Sequence, residues 1–291
     1  VTAAMEIGTG LKPFIERFPD RYIDVGIAEE HAIVYSAGLS AEGFKPIIPI
    51  YSTFMQRAYD YIFHDALLQK LPLIYCMDRA GLVGPDGPTH HGVFDIAFMR
   101  SLPDLIVSAP KDGNELRNLL FTATNLYKNF SIRYPKDTSY SFDLDGKLTM
   151  IEVGEWEILL SGSDSLILAV GSMVGMVMNA KDYIVNTLGY TPTIVNARFI
   201  KPIDSKMLDK LVKQHSLIIT IEEGIITGGF GSAISEYLHE KRLNNHIVRM
   251  GVPDKFVQHG TREELLEEVG LSPDAIINIL KESMPEEIYD H

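Results

Sequence analysis

The sequence has 291 residues, of which 46% are hydrophobic and 22% charged, and this mixture is typical of a soluble globular protein rather than a disordered one. Its formal net charge of -13 gives it no electrostatic reason to hold a nucleic-acid backbone, and none of its apolar runs reaches the roughly 18 to 20 residues that span a membrane. A single cysteine excludes an internal disulfide and is typical of a reducing compartment such as the cytoplasm, and the first residues do not form a signal peptide.

Apolar runs of strand length alternate with helical patterns along the first half of the sequence. We predict strands at 45–51, 71–77, 105–108 and 130–134, and helices at 28–38, 53–68 and 114–122. The cysteine, Cys76, lies inside the second of these strands, so we expect it to be a core residue.

A polar segment without clear periodicity, 136–150, interrupts this alternation and is the best candidate for a linker. After it we predict strands at 166–170, 193–197, 217–221 and 247–250, and helices at 175–188, 205–215 and 232–241. Thr261 and Glu264 have the spacing of a capping box, and Ser272 precedes a first-turn proline. The pattern predicts two consecutive α/β domains with mainly parallel sheets, at 1–140 and 151–291, joined by a linker at 141–150.

Polar residues in the first half cluster where predicted strands end and helices begin, which is where open α/β sheets bind ligands. The first cluster contains Glu29 and Glu30 at the start of a helix, and only one of these neighbours can face the core. A carboxylate there can accept a strong hydrogen bond, although electrostatic stabilisation of the helix start is the alternative explanation.

The second cluster follows the strand that ends at Tyr51. Tyr51 and Phe54 are suited to stacking on a flat heterocycle, and Arg57 is suited to gripping a phosphate or carboxylate with its planar fork. The alternative is ordinary packing between a strand and a helix, with the arginine exposed.

The third cluster is a long loop, rich in glycine and proline, that carries Arg79, Asp86, His90 and His91. Such a loop holds titratable groups close together, as binding and catalytic sites require. No spacing of histidine and cysteine in the sequence matches a zinc site, so we predict no metal site on this chain.

These clusters, in this order, resemble the pyrimidine-binding domain of the deoxyxylulose-5-phosphate synthase family. The stretch Asp-Gly-Pro-Thr-His-His-Gly at 86–92 is the most specific part, and it separates this family from the transketolases and from the β subunits of 2-oxoacid dehydrogenases. The second half resembles the transketolase C-terminal domain, with Asn-Ala-Arg-Phe-Ile-Lys-Pro at 196–202 and Glu-Glu-Gly at 222–224. The resemblance covers nearly the whole chain.

Enzymes of this family use thiamine diphosphate and magnesium to condense pyruvate with D-glyceraldehyde 3-phosphate, releasing carbon dioxide and forming 1-deoxy-D-xylulose 5-phosphate. The resemblance implies that Glu29 hydrogen-bonds the aminopyrimidine ring of the cofactor. A carboxylate there favours the imino tautomer, whose exocyclic nitrogen can remove the thiazolium C2 proton. Tyr51 and Phe54 match residues that line the cofactor ring.

The resemblance also implies the substrate contacts. Arg79, Asp86 and His90 match the polar network around the pyruvate-derived intermediate, which Tyr51 also borders. Arg57 matches a residue that binds the phosphate of the acceptor, and Arg133 matches a second one. Glu30, His31 and His91 are left outside the predicted active site, with no role assigned. The remaining histidines are interpreted as structural or surface residues; they are His64, His215, His239, His246 and His259.

In the family, an N-terminal domain holds the diphosphate through magnesium with a Gly-Asp-Gly motif, which does not occur in this sequence. The glycines at 228–231 lack the dinucleotide spacing and the P-loop lysine, so we interpret them as the entry to a helix. The resemblance therefore implies half of a cofactor site, completed by an N-terminal domain within a homodimer. Two alternatives stay open, a natural split subunit and a non-catalytic paralogue that serves dimerisation or regulation.

Overall fold

A computed structural model describes residues 1–139, 141–143 and 145–283, so positions 140 and 144, both within the polar segment 136–150, and positions 284–291 lie outside the description. The strands are β1 (Ile47–Tyr51), β2 (Ile74–Asp78), β3 (Ile106–Ser108), β4 (Phe130–Arg133), β5 (Glu157–Leu160), β6 (Ser165–Ala169), β7 (Thr193–Asn196), β8 (Phe199–Lys201), β9 (Leu217–Ile225) and β10 (His246–Val252). They form two five-stranded sheets, in the orders β1-β2-β4-β3-β8 and β10-β9-β6-β7-β5.

Helices cover these sheets. They are α1 (Lys12–Arg17), α2 (Glu29–Ala41), α3 (Ser52–Met55), α4 (Tyr59–Tyr61), α5 (Asp95–Arg100), α6 (Gly113–Asn125), α7 (Ser172–Asn179), α8 (Lys181–Leu188), α9 (Ser205–Leu211), α10 (Phe230–Glu240), α11 (Arg262–Glu268) and α12 (Pro273–Ser283). Short 3₁₀ turns lie at Pro19–Arg21, Gln56–Ala58 and Gly84–Asp86, and a π turn at Ile62–Leu67. Within the described part of the chain, no helix is long and apolar enough to cross a membrane.

The two sheets are mainly parallel, which confirms the predicted α/β class. Each sheet also ends in one antiparallel edge strand, because β8 pairs with β3 and β5 pairs with β7. The sequence analysis predicted neither of these strands. With three residues, β8 is too short to show a period. Although it belongs to the second half of the chain, it forms the edge of the sheet of the first half.

The core is continuous between the two halves. The buried ring of Phe130, on β4, meets that of Phe199, on β8, edge to face at 6.3 Å between centroids. Trp156 is buried against Phe230 nearby, and its indole nitrogen donates to the carbonyl of Phe199 at 2.8 Å. Cys76 is buried in β2, as predicted, and burial raises the pKa of its thiol to about 12. The second half is therefore packed firmly on the first.

Three predicted elements differ from the structure in ways that concern the site. The helix predicted at 53–68 is divided into α3, a 3₁₀ turn, α4 and a π turn, although its backbone remains right-handed. The helix predicted at 175–188 breaks at Ala180 into α7 and α8. Strand β9 runs four residues past its predicted end, because Glu222 and Glu223 end the apolar run in the sequence but are buried in the structure.

Candidate active site

The candidate site lies at the carboxyl edge of the first sheet. Tyr51, the last residue of β1, is in register with Asp78, the last residue of β2. Met77 of β2 is paired with Arg133, the last residue of β4. Because these three strands are parallel, the polar segments that follow them meet at one edge, which is where ligands bind in sheets of this kind.

Glu29 is the first residue of α2, and its side chain is only 2% exposed. Its Oε1 accepts a hydrogen bond from Nη1 of Arg57 at 2.9 Å, which forms an ion pair with the half-exposed arginine. The neighbouring Glu30 is only partly buried, and His31 is exposed. The structure therefore turns one of the two adjacent glutamates inward, the one predicted to be catalytic.

A row of aromatic rings and cations extends from this ion pair. The guanidinium of Arg57 lies 4.7 Å from the ring centre of Phe54, and Phe54 stacks on Tyr51 at 5.9 Å with 18° between the planes. The guanidinium of Arg79 covers Tyr51 at 3.8 Å, while His90 meets Phe54 edge to face at 5.4 Å. The fold thus assembles most of the predicted site residues in one cluster with Glu29.

Arg79 is held in an unusual backbone conformation, with φ of 59°. Its Nη1 donates to the carbonyl of Gly8 at 2.8 Å and to Oδ1 of Asp78 at 3.2 Å. Burial raises the pKa of the Asp78 carboxyl group, and the adjacent Arg79 opposes this rise. The hydroxyl of Tyr51 packs so closely on Gly8 that a Cβ there would lie 1.6 Å from it. Gly8 was missed in the sequence, where nothing marks it as part of the site.

Asp86 lies apart from this cluster. It is exposed, and its Oδ2 accepts from Nζ of Lys136 at 3.2 Å. Lys136 and Arg79 both line a cavity of about 570 Å³ between the two halves of the chain. Sequence reasoning missed Lys136, and the available signal was its place three residues after the carboxyl end of β4.

Arg133 is also separate from the cluster. Its side chain is 3% exposed, its Nε donates to Oδ2 of Asp95 at 2.8 Å, and its Nη2 donates to the carbonyl of Glu223 at 2.9 Å. The guanidinium thus has two partners inside the protein. The phosphate contact predicted for Arg133 stays a prediction.

His91, which was left outside the predicted site, has two partners inside the protein. Its Nδ1 accepts from the backbone N–H of Val83 at 3.1 Å, which leaves Nε2 to donate to the carbonyl of Gln258 at 3.1 Å. The contact joins the loop of the first half to the second half. His215 is buried and hydrogen-bonded to Thr193, which also agrees with a structural role.

The glycine-rich turn before α10 is the entry to a helix, as predicted. The backbone N–H groups of Phe230 and Gly231 donate to the carboxylate of Glu222 at 2.7 and 2.8 Å. A side chain at Gly229 would place Cβ 2.3 Å from the same carboxylate. The position at which a phosphate binds a helix N-terminus is thus filled by Glu222.

The environment of Glu222 gives stability a pH dependence. Burial raises the pKa of this carboxyl group from 4.5 to about 7, against the effect of the two backbone donors. Between these values the folded chain binds more protons than the unfolded chain, so the contribution of Glu222 to stability is lost as the pH rises through 7. The Glu222→Gln variant cannot ionise. As the pH rises from about 5 to about 8, we therefore expect the free energy of unfolding of this variant to increase, relative to that of the unsubstituted chain, by on the order of 1–3 kcal/mol.

Urea unfolding of both chains at the two pH values measures this gain. Comparing the chains cancels the groups that titrate in both. A difference in unfolding free energy that stays constant with pH would contradict the assignment.

The cluster fits the aminopyrimidine end of thiamine diphosphate. Tyr51 and Phe54 are only partly buried, and the buried Glu29 carboxylate, a hydrogen-bond acceptor, is joined to them through Arg57. Over the residues that the structure describes, no group of three histidine, cysteine, aspartate or glutamate side chains is placed to hold a metal ion. The described residues therefore fit the aminopyrimidine ring of the cofactor, and not its magnesium ion.

Comparisons with known proteins agree with this arrangement. The family model "Transketolase, pyrimidine binding domain" matches residues 1–140, and "Transketolase, C-terminal domain" matches residues 154–276. The 1-deoxy-D-xylulose-5-phosphate synthase of Dictyoglomus thermophilum is 49% identical over 97% of this chain and 46% of its own length. That of Aquifex aeolicus is 45% identical over 98% of this chain and 45% of its own length. The chain spans about half the length of the curated relatives it matches.

Solved structures show the same fold. One described as "Split gene transketolase, inactive beta4 tetramer" has a TM-score of 0.86 and 28% identity, covering 97% of this chain and 91% of its own. Transketolase from Campylobacter jejuni has a TM-score of 0.70 over 89% of this chain and 39% of its own. At 17% identity, this second likeness concerns the fold alone.

Proposed function

Because this chain belongs to the transketolase family, whose pyrimidine-binding and C-terminal domains it carries, we propose that it supplies the pyrimidine-binding half of a 1-deoxy-D-xylulose-5-phosphate synthase. That enzyme joins pyruvate to D-glyceraldehyde 3-phosphate with loss of carbon dioxide, a step towards isoprenoid precursors, thiamine and pyridoxal. The observation that carries the proposal is the buried Glu29 carboxylate, which Arg57 joins to the stacked rings of Phe54 and Tyr51.

Glu29 is proposed to hold and move a proton at the ring nitrogen of the cofactor. Thiamine diphosphate, when bound, supplies the carbon nucleophile of the reaction. A carboxylate that is shielded from water makes a stronger and better-directed hydrogen bond than an exposed one. Arg57 neutralises part of its charge, and the rings of Tyr51 and Phe54 supply the stacking surface.

Three side chains are proposed to surround pyruvate. Arg79 offers a fixed positive charge, which its two acceptors and the ring of Tyr51 hold in place. His90 can hold or transfer a proton, and its Nδ1 is in hydrogen-bonding contact with the hydroxyl of Thr89 at 2.9 Å. Asp86, on the same loop, is proposed to join them when substrate is present.

The diphosphate and magnesium are proposed to bind a separate N-terminal domain, in a cytoplasmic homodimer. The half-length match to the curated relatives supports this division. The second candidate is a subunit of an enzyme encoded by split genes, which the similarity to a split-gene transketolase favours. Both require the same site residues, whereas a purely regulatory paralogue requires none of them.

The phosphate of the acceptor is proposed to bind Arg57 and Arg133, with Lys136 as a further cation at the cavity. In the assembled enzyme we expect Arg57→Ala to raise KM for D-glyceraldehyde 3-phosphate about ten- to a hundredfold, and KM for pyruvate far less, because a charge-assisted hydrogen bond is lost. Steady-state kinetics with both substrates measures this selectivity.

Unphosphorylated D-glyceraldehyde is the control acceptor, and Arg57→Lys is the matched variant that keeps a charge near Glu29. An equal loss with the unphosphorylated aldehyde would mean that Arg57 acts through Glu29 rather than on the phosphate.

A further inference from the structure

The loop 79–92 carries Arg79, Asp86 and His90 away from the carboxyl end of β2. Its backbone is left-handed at Arg79, with φ of 59°, and at Gly81, with φ of 83°. Gly81 and Gly92 exchange two backbone hydrogen bonds of 2.8 Å, which close the neck of the loop. The directions of the site side chains therefore depend on what holds this neck.

A residue of the second half, Glu223, holds it. Glu223 lies on β9 and is 1% exposed, and its Oε1 accepts from the backbone N–H of Leu82 at 2.9 Å. A Cβ at Gly81 would come within 2.6 Å of the same oxygen. The carboxylate is thus seated directly against the neck, where a larger residue has no room.

The carboxylate is itself fixed by further donors. Its Oε2 accepts from the hydroxyl of Ser172 at 2.7 Å and from Nη2 of Arg262 at 2.5 Å, and its Oε1 accepts from Nε of Arg262 at 3.1 Å. Arg262 in turn donates to Asp137 of the first half at 2.8 Å. A buried carboxylate with these donors is a rigid acceptor, so its bond to Leu82 transmits the position of the second sheet to the loop.

We propose that Glu223 is a positioning residue, which fixes the neck of the loop 79–92 through Leu82 and thereby aims Arg79 and His90 at the substrate. The neighbouring Glu222 shows that a buried glutamate here can be satisfied within the second half alone, because its hydrogen bonds go to Phe230 and Gly231. Glu223 instead reaches across to the other domain. The inference rests on the proposed function, and it gives the C-terminal domain a direct part in the site.

The test compares Glu223→Gln with Glu222→Gln, two identical substitutions at adjacent buried positions of one strand. Amide hydrogen exchange is measured on the full chain by NMR. In Glu223→Gln we expect the amides of Leu82 and Gly92 to exchange about ten- to a hundredfold faster, because a charge-assisted bond at the neck is lost. Amides in β1 should keep their rates, and Glu222→Gln should leave the loop unchanged.

Kinetics of the enzyme assembled with the N-terminal domain test the consequence. We expect Glu223→Gln to lower kcat on the order of ten- to a hundredfold, since small displacements of reacting groups cost that much. Glu222→Gln should retain kcat. If Glu223→Gln fails to fold, Gly81→Ala disturbs the same neck from the loop side, because its Cβ would press on the Glu223 carboxylate, and it should open the same amides.

Two results would overturn the inference. One is unchanged exchange at Leu82 in both Glu223→Gln and Gly81→Ala. The other is faster exchange with an unchanged kcat, because Glu223 would then hold the loop in place without any effect on the reaction. An assembled enzyme that is inactive without any substitution would instead refute the proposed function. The exchange measurement does not depend on activity, so it would still show whether Glu223 holds the neck.

Discussion

Replacing Glu29 with glutamine in the assembled enzyme is expected to slow turnover by about 10²- to 10⁴-fold, the usual effect of removing a positioned acid–base group. Glutamine keeps the size of the side chain and an oxygen that can accept from Arg57, so the stack of Tyr51 and Phe54 should persist. What is lost is the carboxylate that can hold a proton at the ring nitrogen. The effect should therefore appear in kcat, with a smaller change in cofactor affinity.

Deuterium exchange at C2 of the bound cofactor measures the removal of the C2 proton, which Glu29 is proposed to promote, separately from the later steps of the reaction. We expect exchange to slow with turnover in Glu29→Gln. Glu30→Gln is the matched control, because Glu30 follows Glu29 in the first turn of α2 but is only partly buried, and its effect should be mild. An exchange rate that is unchanged in Glu29→Gln would remove Glu29 from the catalytic assignment.

The second large effect concerns the division of the cofactor site. The chain alone is expected to form no 1-deoxy-D-xylulose 5-phosphate, and addition of the N-terminal domain, as a separate chain or a fusion, is expected to restore activity. The continuous core from Phe130 to Phe199 indicates that the chain keeps its fold without that domain. We therefore expect the chain alone to be inactive because the proposed diphosphate and magnesium site lies on the other domain, and not because the chain is unfolded.

Product formation from pyruvate and D-glyceraldehyde 3-phosphate, followed by chromatography, checks this complementation. Glu29→Gln mixed with the same N-terminal domain is the control, and it should remain nearly inactive. Product formed by the chain alone, or equal activity of the control, would refute the division of the site.

Much of the first sheet could be predicted from the sequence, because its strands are apolar on both faces and its polar residues gather at the carboxyl ends. The same pattern predicted that Glu29, Tyr51 and Phe54 would gather at one edge, and Arg57 links them in the structure, while their roles stay predictions. The short strand β8 could not be predicted, since three residues show no period and their partner, β3, lies some 90 residues earlier.

The environments of individual charges were harder to foresee. Arg133 ends β4 at the predicted edge, yet Asp95 draws its guanidinium inward, and spacing along the chain does not reveal that pairing. Glu222 and Glu223 belong to one sequence motif, but they have different hydrogen-bond partners. Glu222 accepts within its own domain and Glu223 accepts from Leu82 of the other, and this difference depends on how the two halves pack. Tertiary contacts decide such cases.

Calorimetric titration of the isolated chain with thiamine diphosphate and magnesium tests the central claim most directly, namely that this chain forms the pyrimidine half of the site. One hydrogen bond to Glu29 and stacking on two rings are too little for tight association once the loss of translational and rotational freedom is included. We therefore expect binding much weaker than about 1 μM in Kd, which corresponds to about 8 kcal/mol. Binding at about 1 μM or tighter would contradict the claim and would mean that this chain holds the diphosphate itself.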